Sequence, residues 1–353
     1  MVFETPVKRS APSSFSQECQ DRVRKKPRQA VLLAVVAVAV AVLVALLSVY
    51  FLKPSPPQQE SDVRYIQNDK IKLGVDLLRG GSITYLSEAN NSRTVINHHD
   101  QGREVQMSFY AAPNPYNPPT VEHPKGACNK LFMGVDWPWN PIGAGDVDGN
   151  HGQILSFSTT SATSLHVLTR PLQWACHNVS CECTFEQDIE LIGDGVKVTS
   201  TLRTSRKDVY TPILMDQELP AVYSNGEFYR LLSYSGEKPV TGDDMVTEYD
   251  AGWKDNFWSP GVFSATEHWA ALLDKRGWGL GVINAEQTNF LGGFHGRKGR
   301  GGPNDDPVGY IAPVGQLAIG PTDVCTYSFF LVLGDLKKNR AYAYDVQAIL
   351  VYN

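Results

Sequence analysis

Four stretches of this chain gather side chains that can move protons, hold charge or stack on a flat ligand. Asn97-His98-His99-Asp100-Gln101-Gly102-Arg103-Glu104-Val105-Gln106 places His99, Asp100 and Arg103 close together. A proton carrier, a carboxylate to orient it and an anion clamp could come from that set. A solvated turn with Arg103 paired to Asp100 or Glu104 uses the same residues. The second stretch, Val135 to Gly152, carries Trp137, Trp139 and Asn140 in a Pro/Gly-rich loop. Indole faces stack on the apolar faces of sugar rings while polar neighbours bond their edges. The alternative is that both rings plug the end of a sandwich. In the third, Glu218 opens the apolar stretch Leu219-Pro220-Ala221-Val222, at an expected strand end, with Tyr223 close by. Desolvation there would raise its pKa toward general acid/base use, whereas a rim glutamate would simply pair with an arginine. The fourth gathers Glu267-His268-Trp269, His295 among glycines, Gly301 to Asp306, and Tyr310. Glycines flanking His295 signal close approach by another group.

Asp146, Asp148 and Asn150 have the odd-position oxygen spacing of a Ca²⁺ loop. His151 in place of the sixth-position Gly and Phe157 in place of the twelfth-position Glu exclude an EF-hand, which leaves an irregular Ca²⁺ site. No other cofactor is required. There is no G-x-S-x-G elbow, H-E-x-x-H, G-x-x-x-x-G-K-[ST] or paired C-x-x-C. The Gly296–Gly302 run lacks the helix signal and Lys-Ser/Thr of a phosphate cradle, so no nucleotide is expected.

The elements that must position these residues follow a membrane segment. Residues 30–52, AVLLAVVAVAVAVLVALLSVYFL, contain no charge. A helix of that length, rising about 35 Å, would cross a hydrocarbon core of roughly 30 Å. Seven Lys/Arg precede the run, which places residues 1–29 in the cytosol and the C-terminal part in the lumen or outside, a single-pass type II layout in Golgi or plasma membrane. The rival reading is a cleaved signal peptide, against which the length of the apolar run argues. The whole chain carries −5, with +4 over 1–29 and −9 beyond, so no basic field is present to hold nucleic acid. Residues 53–64 read as a proline-rich stem and 65–353 as one domain. Sequons at Asn90 and Asn178 fit an exported glycoprotein, and five cysteines beyond the membrane leave at least one without an intrachain partner. Cys176, Cys181 and Cys183 suggest either a metal cluster or, better suited to that compartment, a bridge across a short hairpin with the sequon at its tip.

Period-two alternation over Ser82–Ser87 and Val196–Leu202, and the apolar run Thr326–Leu333, predict strands. Gly193-Asp194 predicts a hairpin between Phe185–Ile192 and the strand from Val196, and Gly277–Ile283 a strand admitting close approach. The remaining helical signal is short: Lys337–Val346, or a turn near Thr266–Leu273. The fold class is therefore an all-β, large antiparallel sandwich preceded by one transmembrane helix.

Asp76-Leu-Leu-Arg-Gly80-Gly81-Ser82-Ile-Thr-Tyr-Leu86, the Asn97–Gln106 loop, and Gln316–Pro321 followed by Thr326–Leu333 together resemble the galactose-mutarotase-like β-supersandwich. The resemblance implies a concave sheet face that holds a carbohydrate, with acid/base residues at its rim. In that group mutarotases pair a Glu with a His, roles that would fall here to Glu218 and to His295 or His99. Lyases of the group use Tyr, His, Arg or Asn around a uronate.

These readings lead to an anchored enzyme that cleaves glycosidic bonds, a hydrolase or lyase. Glu218 is expected to act as base or nucleophile, Asp100 or Glu267 as second carboxylate, and His99 and His295 as proton shuttles. Tyr310 or Tyr223 would be the base in a lyase. Arg103 and Asn140 would hold the glycan, and Trp137 and Trp139 would stack on it. The alternative is a glycan-binding or adhesion ectodomain without turnover.

Overall fold

The computed structural model describes residues 61–120, 124–128, 131–132, 134–250 and 261–352. Among them, strands form two large antiparallel sheets. The order across the first is Val63–Gln67, Ile71–Asp76, Ser82–Glu88, Val105–Ser108, Leu214–Asn225, Val308–Ala318, Asn289–His295 and Gly261–Ser264, with two short strands, Pro141–Ile142 and Leu172–Gln173, beside Val105–Ser108. Across the second it is Val246–Tyr249, Arg230–Tyr234, Trp269–Leu273, Trp278–Ile283, Val324–Asp335, Gly195–Thr204, Cys183–Ile192, Ser164–Arg170 and Gln153–Ser161. The all-β antiparallel sandwich read from the sequence is present. Val63 and Arg64, placed in the stem by composition, already pair in the first strand.

Alternation explains why the sheets face each other. In the first sheet Val105 and Met107, followed by Phe109, point into the core; in the second Phe185, Val198, Phe329 and Leu331 meet them, all buried. The two-residue Gly193-Asp194 turn joins Cys183–Ile192 to Gly195–Thr204 as expected. At Gly80 the chain turns with φ 57°, and a Cβ there would come within 1.8 Å of the Gly143 carbonyl oxygen, so glycine is required.

The C-terminal helix, Leu336–Tyr352, is longer than the sequence signal and packs on the outer face of the second sheet through Ala343 and Val346 against Trp269, Leu273 and Val332. The Thr266–Leu273 alternative is a turn leading into a buried strand. Among the described residues no helix is long and apolar enough to cross a membrane; the apolar run 30–52 lies outside them.

The cysteines pair otherwise than predicted. Cys128 bridges Cys176, 48 residues away, and Cys181 bridges Cys183, so no bridge joins Cys176 to the Cys181/Cys183 side of the hairpin and no thiolate cluster remains to bind metal. Cys325 is the free thiol among the described residues.

Candidate functional site

The outer face of the first sheet carries a cavity of about 280 Å³. Gln106, Ser108 and Tyr110, two residues apart on and just beyond Val105–Ser108, point into it while their neighbours enter the core. The adjacent strand Leu214–Asn225 would send Glu218 and Tyr223 to opposite faces if it alternated strictly. Its register slips between Glu218 and Ala221: Glu218 pairs with Ser108, yet Ala221 pairs with Gln106. That extra residue turns Glu218, Ala221 and Tyr223 to the same cavity. Glu218 therefore lies inside a twelve-residue strand and not at its end.

The Glu218 carboxylate sits against three hydroxyls. Tyr310 donates to Oε1, Tyr110 donates to Oε2 at 3.4 Å, and Ser108 also bonds it. Burial raises the Glu218 carboxyl above the usual glutamate range, and the three hydroxyls only partly offset it. Burial first, and the Glu218 charge second, push Tyr110 and Tyr310 well above 10; burial acts the same way on Tyr223, so all three phenols remain donors. Tyr310 and Tyr223 are cross-strand partners with ring centroids 4.8 Å apart.

Two loops and two aromatic rings close the cavity. Trp137 donates from Nε1 to Asn140 Oδ1 at 3.2 Å and meets Tyr110 edge-on. Asn140 is buried and donates to the Phe109 carbonyl at 2.8 Å, so its amide fixes the loop that presents Trp137. Trp174 forms a further part of the lining; a Cβ on Gly102 would come within 2.6 Å of it, which is why glycine stands there. Asp100, Arg103 and His295 line the same space.

Arg103 is bound to Asp100 at 3.1 Å and to Asp306 at 3.0 Å. Both are carboxylates of this chain, so the anion-clamp reading gives way to internal pairing. Asp306 in turn lies 3.3 Å from His295 Nε2. Burial alone would raise the Asp306 carboxyl, but Arg103 and the neighbouring His295 and His99 outweigh it and hold it below the usual range. Beneath the loop, buried Arg79 pairs with Glu104 and donates to the Asp100 carbonyl at 3.0 Å.

The structure thus brings Glu218, Tyr223, Asp100, Arg103, His295, Trp137 and Asn140 to one cavity, with Tyr310 bonded to Glu218, and places the others elsewhere. Trp139 is buried in the core with Arg206 stacked 4.5 Å from its ring, so it cannot stack on a ligand. His99 is exposed, its Nδ1 2.9 Å from the Asn304 carbonyl. Glu267 has no exposed surface and lies across the sandwich, beneath the C-terminal helix. There it accepts from Arg340 through both oxygens at 2.8 Å, from Trp269 at 3.0 Å and from Tyr344 at 2.6 Å. It is a structural pin and not a second catalytic carboxylate.

The Ca²⁺ reading fails on its own oxygens. Asp146 is buried and accepts from the Asp148 and Asn150 backbones at 3.0 Å, the Asn150 amide at 2.8 Å and the Asn178 backbone at 2.8 Å. Those donors fill the carboxylate, Asp148 pairs with His177, and Asn150 gives its amide to Asp146. Asp146→Ala is expected to lower unfolding free energy by about 1.5–3 kcal/mol, the worth of bonds to a charged group. Added Ca²⁺ should leave the wild-type unfolding midpoint where it was.

Gln106, Ser108, Tyr110 and Trp174 are site residues that sequence reasoning missed. For the first three a signal existed: polar and aromatic residues alternate with Val105, Met107 and Phe109.

Fold and site together define a β-sandwich with a carboxylate- and aromatic-lined cavity on an outer sheet face. No family model matches the chain, and no curated protein matches it. Similar solved structures include a putative aldose 1-epimerase from Escherichia coli K12, at 12% identity over 78% of this chain and 100% of that one, TM-score 0.44. A galactose mutarotase-like protein from Lactobacillus casei is similar at 9% identity over 77% of this chain and 100% of that one, TM-score 0.46. A 4-alpha-glucanotransferase from Thermococcus litoralis is similar at 12% identity over 81% of this chain and 40% of that one, TM-score 0.38. Two of these three carry names from the group that the sequence resembles.

Proposed function

We propose that this chain is a carbohydrate-active enzyme that transfers protons at the anomeric centre of a sugar, with Glu218 as the base and His295 as its acidic counterpart. The observation that carries the reading is a desolvated Glu218 carboxylate, held by tyrosine hydroxyls, at the cavity that Trp137 borders. A carboxylate with a raised pKa takes a hydroxyl proton readily near neutral pH. A nearby imidazole oriented by Asp306 can supply one to the ring or bridging oxygen. Trp137 offers a flat apolar wall and Gln106 a polar edge.

Glycosidic cleavage with two carboxylates is the second reading, favoured by Asp100 lining the same cavity as Glu218. A tyrosine-based lyase fits less well, because Tyr223 and Tyr310 are pushed up, away from ionisation. The test is a panel of reducing sugars and oligosaccharides, following anomer exchange by NMR and release of new reducing ends. Glu218→Gln should stop whichever reaction occurs. Asp100→Asn should stop only bond cleavage, and unchanged turnover in Glu218→Gln would refute both readings.

We further propose that residues 30–52 anchor the domain in a bilayer with the C-terminal part luminal or extracellular. The charge-free run and its basic preamble support this. Asn90 and Asn178 are exposed in the fold, as an acceptor must be. In a eukaryotic host, enzymatic removal of N-linked glycans should shift the mobility of the full chain, and Asn90→Gln with Asn178→Gln should abolish the shift. A cytosolic C-terminal domain would show no shift in either form.

A further inference from the structure

On the outer face of the second sheet, His166, Glu186 and Asp188 stand together. His166 on Ser164–Arg170 and Asp188 on Cys183–Ile192 are direct cross-strand partners, and Glu186 lies two residues along, on the same face. Their neighbours Leu165, Val167, Phe185 and Ile189 enter the core, which fixes the three polar side chains outward. One donor atom from each lies within 4.8 Å of the others, and His166 Nδ1 is 2.9 Å from Asp188 Oδ1. Beside Asp188, and not reaching His166 or Glu186, lies a polar depression of about 380 Å³ with Thr160, Ser164, Glu190, Lys197 and Thr199 in its lining.

We propose that His166, Glu186 and Asp188 form a surface site for a Zn²⁺-type divalent cation. One imidazole and two carboxylates give three protein ligands, and the exposed Asp188 side leaves room for water as the fourth. Tetrahedral bonds of about 2.0–2.1 Å set ligand atoms roughly 3.4 Å apart. Small side-chain rotations on a rigid two-strand ladder reach that spacing. Arg203, 3.5 Å from Glu186, has another route to water because it is half exposed, so the cation can displace it. Bound there, the ion would clip Ser164–Arg170, next to the sheet edge, to its inner neighbour. Stability would then rise with ion concentration by mass action.

The test is titration of the full chain with ZnCl₂, reading calorimetric heat and the thermal unfolding midpoint. Wild type should bind and unfold at higher temperature, with the shift reversed by chelation. His166→Ala and Asp188→Asn should each weaken binding at least tenfold and remove the shift. His177→Ala, which alters the separate His177–Asp148 pair, should leave both intact. No binding up to millimolar Zn²⁺, equal binding in His166→Ala, or loss in His177→Ala instead would each overturn the proposal.

Discussion

Glu218→Gln should lose turnover by about 10²–10⁴-fold, the usual contribution of a positioned acid or base, while sugar affinity stays within a few-fold of wild type. The amide preserves shape and can still bond the tyrosine hydroxyls, but it cannot take a proton. The pH profile offers an independent check. Burial raises the Glu218 carboxyl, so the acid limb of kcat/KM in wild type should lie above the ordinary glutamate value of 4.5. Tyr310 opposes that rise by stabilising the charged form. Tyr310→Phe removes the opposition, so the limb should move to still higher pH. A limb that stays in place would mean that another group limits the rate.

Arg340→Met should destabilise the domain by about 3–5 kcal/mol, measured by urea unfolding, because it leaves the fully buried Glu267 carboxylate without its counter-ion. Pairing Arg340→Met with Glu267→Gln should recover much of the loss, since the uncompensated charge is gone. The wild-type pair also sets a pH dependence. Burial pulls the Glu267 carboxyl upward, but Arg340, Tyr344, Trp269 and the Val240 backbone together hold it below 4.5. A depressed carboxyl contributes stability that is complete above the unfolded-state value and is lost as pH falls through the folded one. Acid unfolding of wild type should therefore steepen below about pH 4.5, and the double variant should lack that component.

The contrast between Glu218 and Glu267 marks what local sequence can convey. Glu218 is followed by Leu219-Pro220 and Glu267 by His268-Trp269, and both side chains are buried by sandwich formation. Glu218 faces a cavity because one inserted residue changes the parity of its strand, a property of the pairing partners that the strand's own residues do not reveal. Glu267 is occupied by Arg340 and Tyr344, more than seventy residues later on a helix that the sequence shows only in part. The strands themselves were legible because alternation over Ser82–Ser87 and Val196–Leu202 is a local signal. Asp146 shows the reverse error: spacing suited to a cation was spacing suited to the loop's own N–H groups. Of the two loop tryptophans, Trp137 reaches the cavity and Trp139 the core, although strict alternation would put residues two apart on one face, so this loop does not follow the strand pattern that local sequence can reveal.

The claim underlying all of this is that a saccharide sits on the outer face of the first sheet, beside Glu218. Fluorine NMR of the full chain carrying fluorotryptophan at its seven positions reads it directly, with resonances assigned by single Phe replacements. Adding a bound sugar should move the Trp137 and Trp174 signals, in wild type and in Glu218→Gln alike, and leave Trp139 and Trp269 unmoved. Shifts at Trp269 with none at Trp137, or no shift at saturating sugar, would contradict the account.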